Sequence, residues 1–276
     1  MPVLNALTID VEDWYHVCDV PGIPVIPDAE KRVRRNVELI LDMLRAVQVR
    51  ATFFILGSVA QDEPDLVPKI VAEGHEIASH GWSHTLVSKL TPEAFRSEIV
   101  ATADILERQG GRRPSGFRAP QWSLCRSSTS WAFSILREEG FRYDSSLNPL
   151  PFVGNPCGPR QPFGLDTAAG RLVEFPPLVM PTCLGNLPVG GGWGFRFFPY
   201  ALVKRAINRL NNAGYPAVLY LHPREIDPAG PRLGLSPVKK FAAYGPRSDA
   251  SERLRKIFLD FSFTSLDQLV QSCNTV

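Results

Sequence analysis

The spacing of His80 and His84, within Ser79-His80-Gly81-Trp82-Ser83-His84, carries chemistry. On a helical turn, residues i and i+4 share a face, and two imidazoles there can hold one divalent ion. The plainer reading is two surface histidines beside a loop. The run Asp10-Val11-Glu12-Asp13 shifts the balance, because it packs three carboxylates into four residues of a chain with five histidines. One carboxylate would complete a two-histidine, one-carboxylate site with positions open for water and substrate. Another would stay off the metal and take a proton. If strand alternation persists, Asp10 and Glu12 face the same side; if the chain turns after Val11, Asp13 is better placed. The sequence leaves Glu12 and Asp13 open as ligands, and Asp13 also reads as a helix cap. Zinc is the first choice for the single ion, and the same donors accept Co, Ni, Fe or Mn.

Other polar residues stand where apolar runs end. Arg118 follows Gly116-Phe117, Asp144 follows Phe141-Arg142-Tyr143, and His222 and Arg224 follow Ala217-Val218-Leu219-Tyr220-Leu221. Strands are expected near 4–10, 51–56, 75–79, 116–118, 141–144, 172–175 and 217–221. Helices are expected at 29–48 with Asp28 as N-cap, 64–73, 92–109 behind Thr91-Pro92, 128–139, 199–213, 249–260 and 265–272. Buried strands alternating with helices imply parallel pairing. About seven of them suggest a single-domain, closed or nearly closed α/β barrel over residues 1–276. The catalytic edge of such a barrel is the one where strands end, which is where these polar residues gather. The Pro/Gly-rich stretch 149–195 contains Phe, Leu and Val throughout, and reads as an insertion over the barrel mouth, not a linker.

Composition excludes several classes. The 276 residues are 44% hydrophobic and 21% charged, which suits a large core and not a disordered chain. A net charge of +2 argues against binding nucleic acid through bulk charge. No apolar run is long enough to span a membrane. The opening Met1-Pro2-Val3-Leu4-Asn5 lacks the pattern of a secretory signal, and five scattered cysteines without a CxxC pair give no disulfide or thiolate-zinc framework. A cytoplasmic location is the default expectation.

Taken in order, Thr8-Ile9-Asp10, Ser79-His80-x-x-x-His84, Arg118-Ala119-Pro120, Asp144-Ser145-Ser146 and Leu219-Tyr220-Leu221-His222-Pro223-Arg224 resemble the polysaccharide deacetylase (NodB-homology) family over residues 4 to about 224. Asp10-Val11-Glu12-Asp13-Trp14 and Gly190-Gly191-Gly192-Trp193 resemble its cytoplasmic subgroup associated with extracellular-polysaccharide biosynthesis clusters. The resemblance implies a distorted (β/α)7 barrel. It also implies Asp10 as general base, His80 and His84 as metal ligands, Arg118 as the partner of the base, and His222 as general acid. Many members carry a second aspartate where this chain has Val11, so the carboxylate ligand must come from Glu12 or Asp13.

The implied reaction is removal of N-acetyl groups from an N-acetylated sugar. A metal would activate water and polarise the carbonyl, and a backbone N–H near 120–123 would help hold the oxyanion. Asp144 or another carboxylate would favour protonated His222. Carbohydrates stack on aromatic faces, although core packing is the usual fate of tryptophan. Trp193, exposed by its glycines, is the first sugar contact expected, with Trp122 and Asp144 also near the substrate. His16 could reach the mouth, and His75 reads as packing. Lys31-Arg32-Arg34-Arg35 and Lys239-Lys240 read as solvated faces, with phosphate binding the bolder alternative. Competing readings are hydrolysis of a small amide, as in allantoinase-like relatives, and a non-catalytic sugar-binding barrel. A sealed pocket with an extra arginine would favour the small amide, and an open groove with exposed aromatics the sugar.

Overall fold

Apolar runs too short for helices pair into one main sheet. A computed structural model describes residues 3–17, 26–151, 153–245 and 249–272. Its strands are β1 (Asn5–Val11), β2 (Thr52–Ile55), β3 (Glu76–Ser79), β4 (Gly116–Phe117), β5 (Tyr143–Asp144), β6 (Phe163–Thr167), β7 (Gly170–Glu174), β8 (Met180–Thr182), β9 (Gly185–Leu187), β10 (Val218–Leu221) and β11 (Phe263–Thr264). Its helices are α1 (Val33–Ala46), α2 (Gly57–Asp62), α3 (Leu66–Ala72), α4 (Pro92–Gly110), α5 (Ser130–Glu138), α6 (Gly192–Phe197), α7 (Tyr200–Asn212), α8 (Pro237–Tyr244), α9 (Ser251–Asp260) and α10 (Leu266–Ser272).

The order across the sheet is β10-β1-β2-β3-β4-β5-β7-β6. From β10 to β7 every pair is parallel; β6 then folds back as the antiparallel partner of β7. Between β7 and β10 the sheet is bridged by loop backbone. Leu178 N–H donates to the Val218 carbonyl at 2.9 Å, and Tyr220 N–H to that of Gly190 at 2.9 Å. The result is a curled, incompletely closed sheet within a mixed α/β domain, a barrel-like (β/α)7 fold. The 149–195 stretch is therefore partly sheet, since it contains β6 and β7.

Alternation along β1 divides its side chains between two environments. Leu7, Ile9 and Val11 join Val37, Leu41 and Ile207 of α1 and α7 in the outer core. Ala6 faces inward with Phe54, Ala78 and Val218, and Leu266, Leu269 and Val270 of α10 plug that interior where the strands begin. The inward series continues as Thr8, Asp10 and Glu12, so the floor turns polar toward the strand ends.

Helix starts follow local chemistry. Thr91 caps α4 by accepting from Ala94 N–H, and Gly111 ends it in the left-handed region at φ 73°. The start of α1 departs from expectation. Asp28 lies in a separate 3-10 turn (Asp28–Glu30), and α1 begins at Val33 with its first amides bonded to Asp13. The helices α2, α6 and α8 and the strands β6, β8, β9 and β11 were not anticipated. Most are short or contain glycine, which weakens any periodicity. No helix among the described residues is long and apolar enough to cross a membrane.

Candidate active site

β1 and the loop after β3 bring three ligand atoms together. Glu12 Oε1 lies 3.2 Å from His80 Nε2 and 3.0 Å from His84 Nε2. The histidines do not sit on a helical turn. Gly81 and His84 have φ of 78° and 57°, and the loop folds so that the two rings are 5.4 Å apart. Two features fix this loop. Trp82 packs over Gly57 so tightly that a Cβ there would lie 2.3 Å from its ring, and Glu98 accepts from the amides of Trp82 and Ser83. His80 Nδ1 meets the Arg118 carbonyl at 2.7 Å. Donating there leaves its Nε2 lone pair aimed at Glu12, the arrangement found behind metal-bound histidines. Glu12 Oε2 accepts from Arg224 Nη1 at 2.8 Å, so one oxygen remains for a metal. Burial alone would raise the Glu12 pKa, but His84, His222, Arg224 and the His80 hydrogen bond hold it well below the ordinary value.

Asp10 lies beside this trio, as strand alternation allows. Its Oδ1 accepts from Arg118 Nη1 at 2.6 Å. Arg118 is fully buried, also donating to Thr8 Oγ1 and to the Ser145 hydroxyl and carbonyl, and it lies over the Phe54 ring. A guanidinium so fully bonded is a fixed strut for the carboxylate. His222 Nε2 lies 3.9 Å from Asp10 Oδ2 and 3.8 Å from Glu12 Oε1. On its far side, Nδ1 donates to Glu225 Oε1 at 2.6 Å. Burial would raise the Glu225 pKa, but the His222 bond and Arg196, 3.0 Å away, hold it down to about 2. A cavity of about 600 Å³ opens over Asp10, Glu12, His84 and His222.

Two family models divide the chain. Polysaccharide deacetylase matches residues 26–142, and a domain of unknown function (DUF3473) matches residues 145–271. The site draws on both, with Asp10 and Glu12 preceding the first. A peptidoglycan-N-acetylglucosamine deacetylase of Bacillus cereus is 38% identical over 93 residues, covering 34% of each chain. The crystal structure of a polysaccharide deacetylase candidate from Mycobacterium smegmatis superposes with a TM-score of 0.60 at 23% identity, covering 86% of this chain and 76% of the other. An allantoinase (PuuE) superposes with a TM-score of 0.64 at 17% identity, covering 97% and 89%; at such identities the structural likeness speaks for the fold alone.

The matches support the polysaccharide deacetylase family. The aligned stretch spans about a third of the Bacillus cereus protein's length. Two expectations for the site need correction. Asp13 is turned away from the histidines. Its carboxylate accepts from the amides of Trp14, Arg32 and Val33, capping α1, so of the two open candidates Glu12 alone meets His80 and His84. Asp144 neither supports His222 nor lines the cavity. It is buried, accepting from the Ser146 hydroxyl at 2.6 Å and amide at 3.2 Å. Burial raises its pKa, and the pKa of neighbouring Glu174 is raised well above normal by burial and by Asp144's charge.

Trp193 and Trp122 both line the cavity. Trp122 packs edge-on against Tyr220 at 4.6 Å, and Trp193 lies 5.1 Å from Phe241. The glycines before Trp193 serve a close approach: a Cβ on Gly191 would lie 2.3 Å from the Tyr220 carbonyl. His16 reaches the cavity and packs against His84; burial lowers its pKa to about 3. His75 is structural, accepting from Ala51 N–H and packing on Phe53. Lys31 and Arg34 pair with Asp28, Asp62 and Glu63 at the surface. Glu225 and Arg196 were missed by sequence reasoning. Glu225 had a signal, three residues after His222 in a capping-box spacing, whereas Arg196 had none.

Proposed function

We propose that this chain is a metal-dependent N-deacetylase acting on an N-acetylated sugar, an oligosaccharide or biosynthetic intermediate of an extracellular polysaccharide. The observation that carries the reading is the convergence of Glu12, His80 and His84 beside the Arg118-braced Asp10 and the Glu225-braced His222. The donor set fits a divalent metal: Glu12, His80 and His84 offer one atom each within 4.8 Å of one another, and Arg224 occupies the spare carboxylate oxygen. Zinc is the first choice, with Co, Ni, Fe or Mn compatible. Bound there, the ion supplies Lewis-acid polarisation of the acetyl carbonyl and a more acidic water.

The chain's residues do the rest. Arg118 fixes Asp10 with its second oxygen toward the cavity, where it takes the proton of the attacking water. Gln121 N–H is assigned to the developing oxyanion. Pro120 has no N–H, and those of Trp122 and Ser123 bond the carbonyls of Ala119 and Pro120. Gln121 and Trp122 hold φ of 52° and 49°, a backbone conformation that concentrates at functional sites. Glu225 holds His222 with Nε2 facing Asp10, placed to protonate the leaving nitrogen. The 149–195 stretch contributes Leu150, Leu187 and Trp193 to the wall. The small-amide reading is disfavoured because Arg224, the arginine that lines the cavity, is bound to Glu12.

Asp10→Asn tests the assignment. Acetate release from an N-acetylglucosamine oligomer should fall by about 10²–10⁴-fold while bound metal stays near one per chain. A metal-loaded wild type that releases no acetate, or an unaffected variant, overturns it.

A further inference from the structure

Two asparagines line the cavity, and the fold uses them in opposite ways. Asn186 is committed to the protein. Its Nδ2 donates to the carbonyls of Pro149 and Pro156 at 2.6 and 3.2 Å, and its Oδ1 accepts from Arg160 Nε at 2.9 Å. Asn148 is fixed through its backbone instead. Its carbonyl accepts from the amides of Leu150 at 2.9 Å and Asn155 at 3.0 Å, and Gly154 approaches the same carbonyl so closely that a Cβ there would lie 1.8 Å away. The residue is only 2% exposed, yet its Oδ1 has no hydrogen-bond partner among the described residues. Trp122, in the same cavity, buries an indole Nε1 that likewise has none. Folded proteins keep few such groups, because burying one without a partner costs stability. Asn148 also borders a second cavity of about 390 Å³, but Trp122 does not, so the cavity over Asp10 is the one they share.

We infer that Asn148 is a specificity-determining residue. Its carboxamide oxygen accepts a hydrogen bond from a non-reacting hydroxyl of the substrate sugar, and the Trp122 indole N–H donates to an oxygen of the same sugar. The inference rests on the deacetylase reading for the identity of that sugar. A hydroxyl both donates and accepts, whereas the carboxamide oxygen only accepts and the indole N–H only donates. The pair therefore matches a polyol, and it carries no charge that would select an anion. The backbone bonds of Asn148 hold it in place beforehand, so little ordering is left for binding to impose. What the unpaired groups cost the free protein is recovered when the sugar enters.

The test titrates the zinc-loaded Asp10→Asn chain calorimetrically with the methyl glycoside of N-acetylglucosamine and with its 3-, 4- and 6-deoxy analogues. The parent sugar should bind about tenfold more tightly than one of the three analogues. Adding Asn148→Leu should bring that ratio close to one, and Asn148→Ala, which cannot overpack the site, should do the same. Because Oδ1 bonds no described residue, the sugar-free Asn148→Leu chain should unfold at no lower a temperature than its parent. Trp122→Phe keeps an aromatic ring against Tyr220 and should weaken the parent sugar several-fold; an unchanged affinity overturns the indole's part. Equal affinities for the four sugars, or a ratio that survives both Asn148 variants, overturns the contact and leaves water as the partner of Asn148. A lost ratio accompanied by a lower unfolding temperature in both variants marks a structural role and overturns it too. Acetate release by the wild type is read separately. Discrimination that depends on Asn148 without acetate release keeps the contact and removes the deacetylase reading, and acetate release without discrimination does the reverse.

Discussion

Glu12 and Glu76 lie at opposite ends of two parallel strands separated by β2, and both carboxylates are boxed in by protein. Glu12, past the end of β1, faces His80, His84, His222 and Arg224, and its pKa is held well below normal. Glu76, at the start of β3, accepts from Thr52 Oγ1, Tyr143 Oη and Asp267 N–H. Burial and the Asp267 carboxylate push its pKa up to about 7. Removal from water raises both; the surrounding charge decides the outcome. At the upper end Arg224 and the surrounding imidazoles favour the anion, so it persists and can serve as a ligand. At the lower end burial and a second acid favour the proton against the three donated hydrogen bonds, and the carboxyl ties β3 to α10. The contrast agrees with the division in barrels between a catalytic edge at the strand ends and a stabilising edge at their starts.

Glu12→Gln attacks the upper half of that contrast most directly. Without the charge, Arg224 loses its ion-pair partner, and His80 and His84 lose the anionic ligand beside them. Bound metal should fall well below one per chain, and kcat/KM should drop roughly a thousandfold, about 4 kcal/mol of transition-state stabilisation. Metal analysis beside acetate release reads both. A variant that keeps stoichiometric metal would move the ligand role elsewhere.

Glu76→Gln attacks the lower half. Between about pH 4.5 and pH 7 the folded chain keeps the Glu76 proton and the unfolded chain loses it. Proton uptake is then greater in the folded state, so this group's contribution to stability declines as pH rises through that window and levels off above it. The decline is at most roughly 3 kcal/mol. Glutamine mimics the protonated acid, so the difference in urea stability between variant and wild type should grow in the variant's favour from pH 5 to pH 8. A difference independent of pH would deny the raised pKa. Other groups titrate across this range, which is why the difference, not the wild-type curve, is the readout.

The two ends were unequally legible in the sequence. The seven parallel strands stand out as short apolar runs closed by Gly, Pro or a polar residue, and Asp10, His80, Arg118 and His222 stand out because each ends one. Glu76 carries no such mark; its role depends on Tyr143 and Asp267, which only the fold brings close. The choice between Glu12 and Asp13 turned on where the chain leaves β1, a tertiary question. The same is true of the start of α1, where a distant Asp13 displaced the local candidate Asp28.

A smaller effect is expected behind His222. Glu225→Gln removes the charge facing Nδ1 but leaves the metal trio untouched, so kcat should fall about 10–100-fold with metal content unchanged. An unchanged kcat would show that the backbone alone orients His222.

Asp13 gives the finest test, because it adjoins Glu12 in the chain yet serves the opposite purpose. Its carboxylate accepts three backbone amides and touches none of the metal trio. Although these bonds favour the anion, burial prevails and raises its pKa. Asp13→Ala should therefore cost about 1–2 kcal/mol of stability by uncapping α1, within the range of N-cap deletions. One metal should remain bound per chain. The Glu12 and Asp13 variants then separate cleanly, the first losing metal and the second losing stability. If Asp13→Ala instead lost metal with its stability intact, the carboxylate ligand would be the neighbour, and the contrast between the two ends of the barrel would have to be redrawn around it.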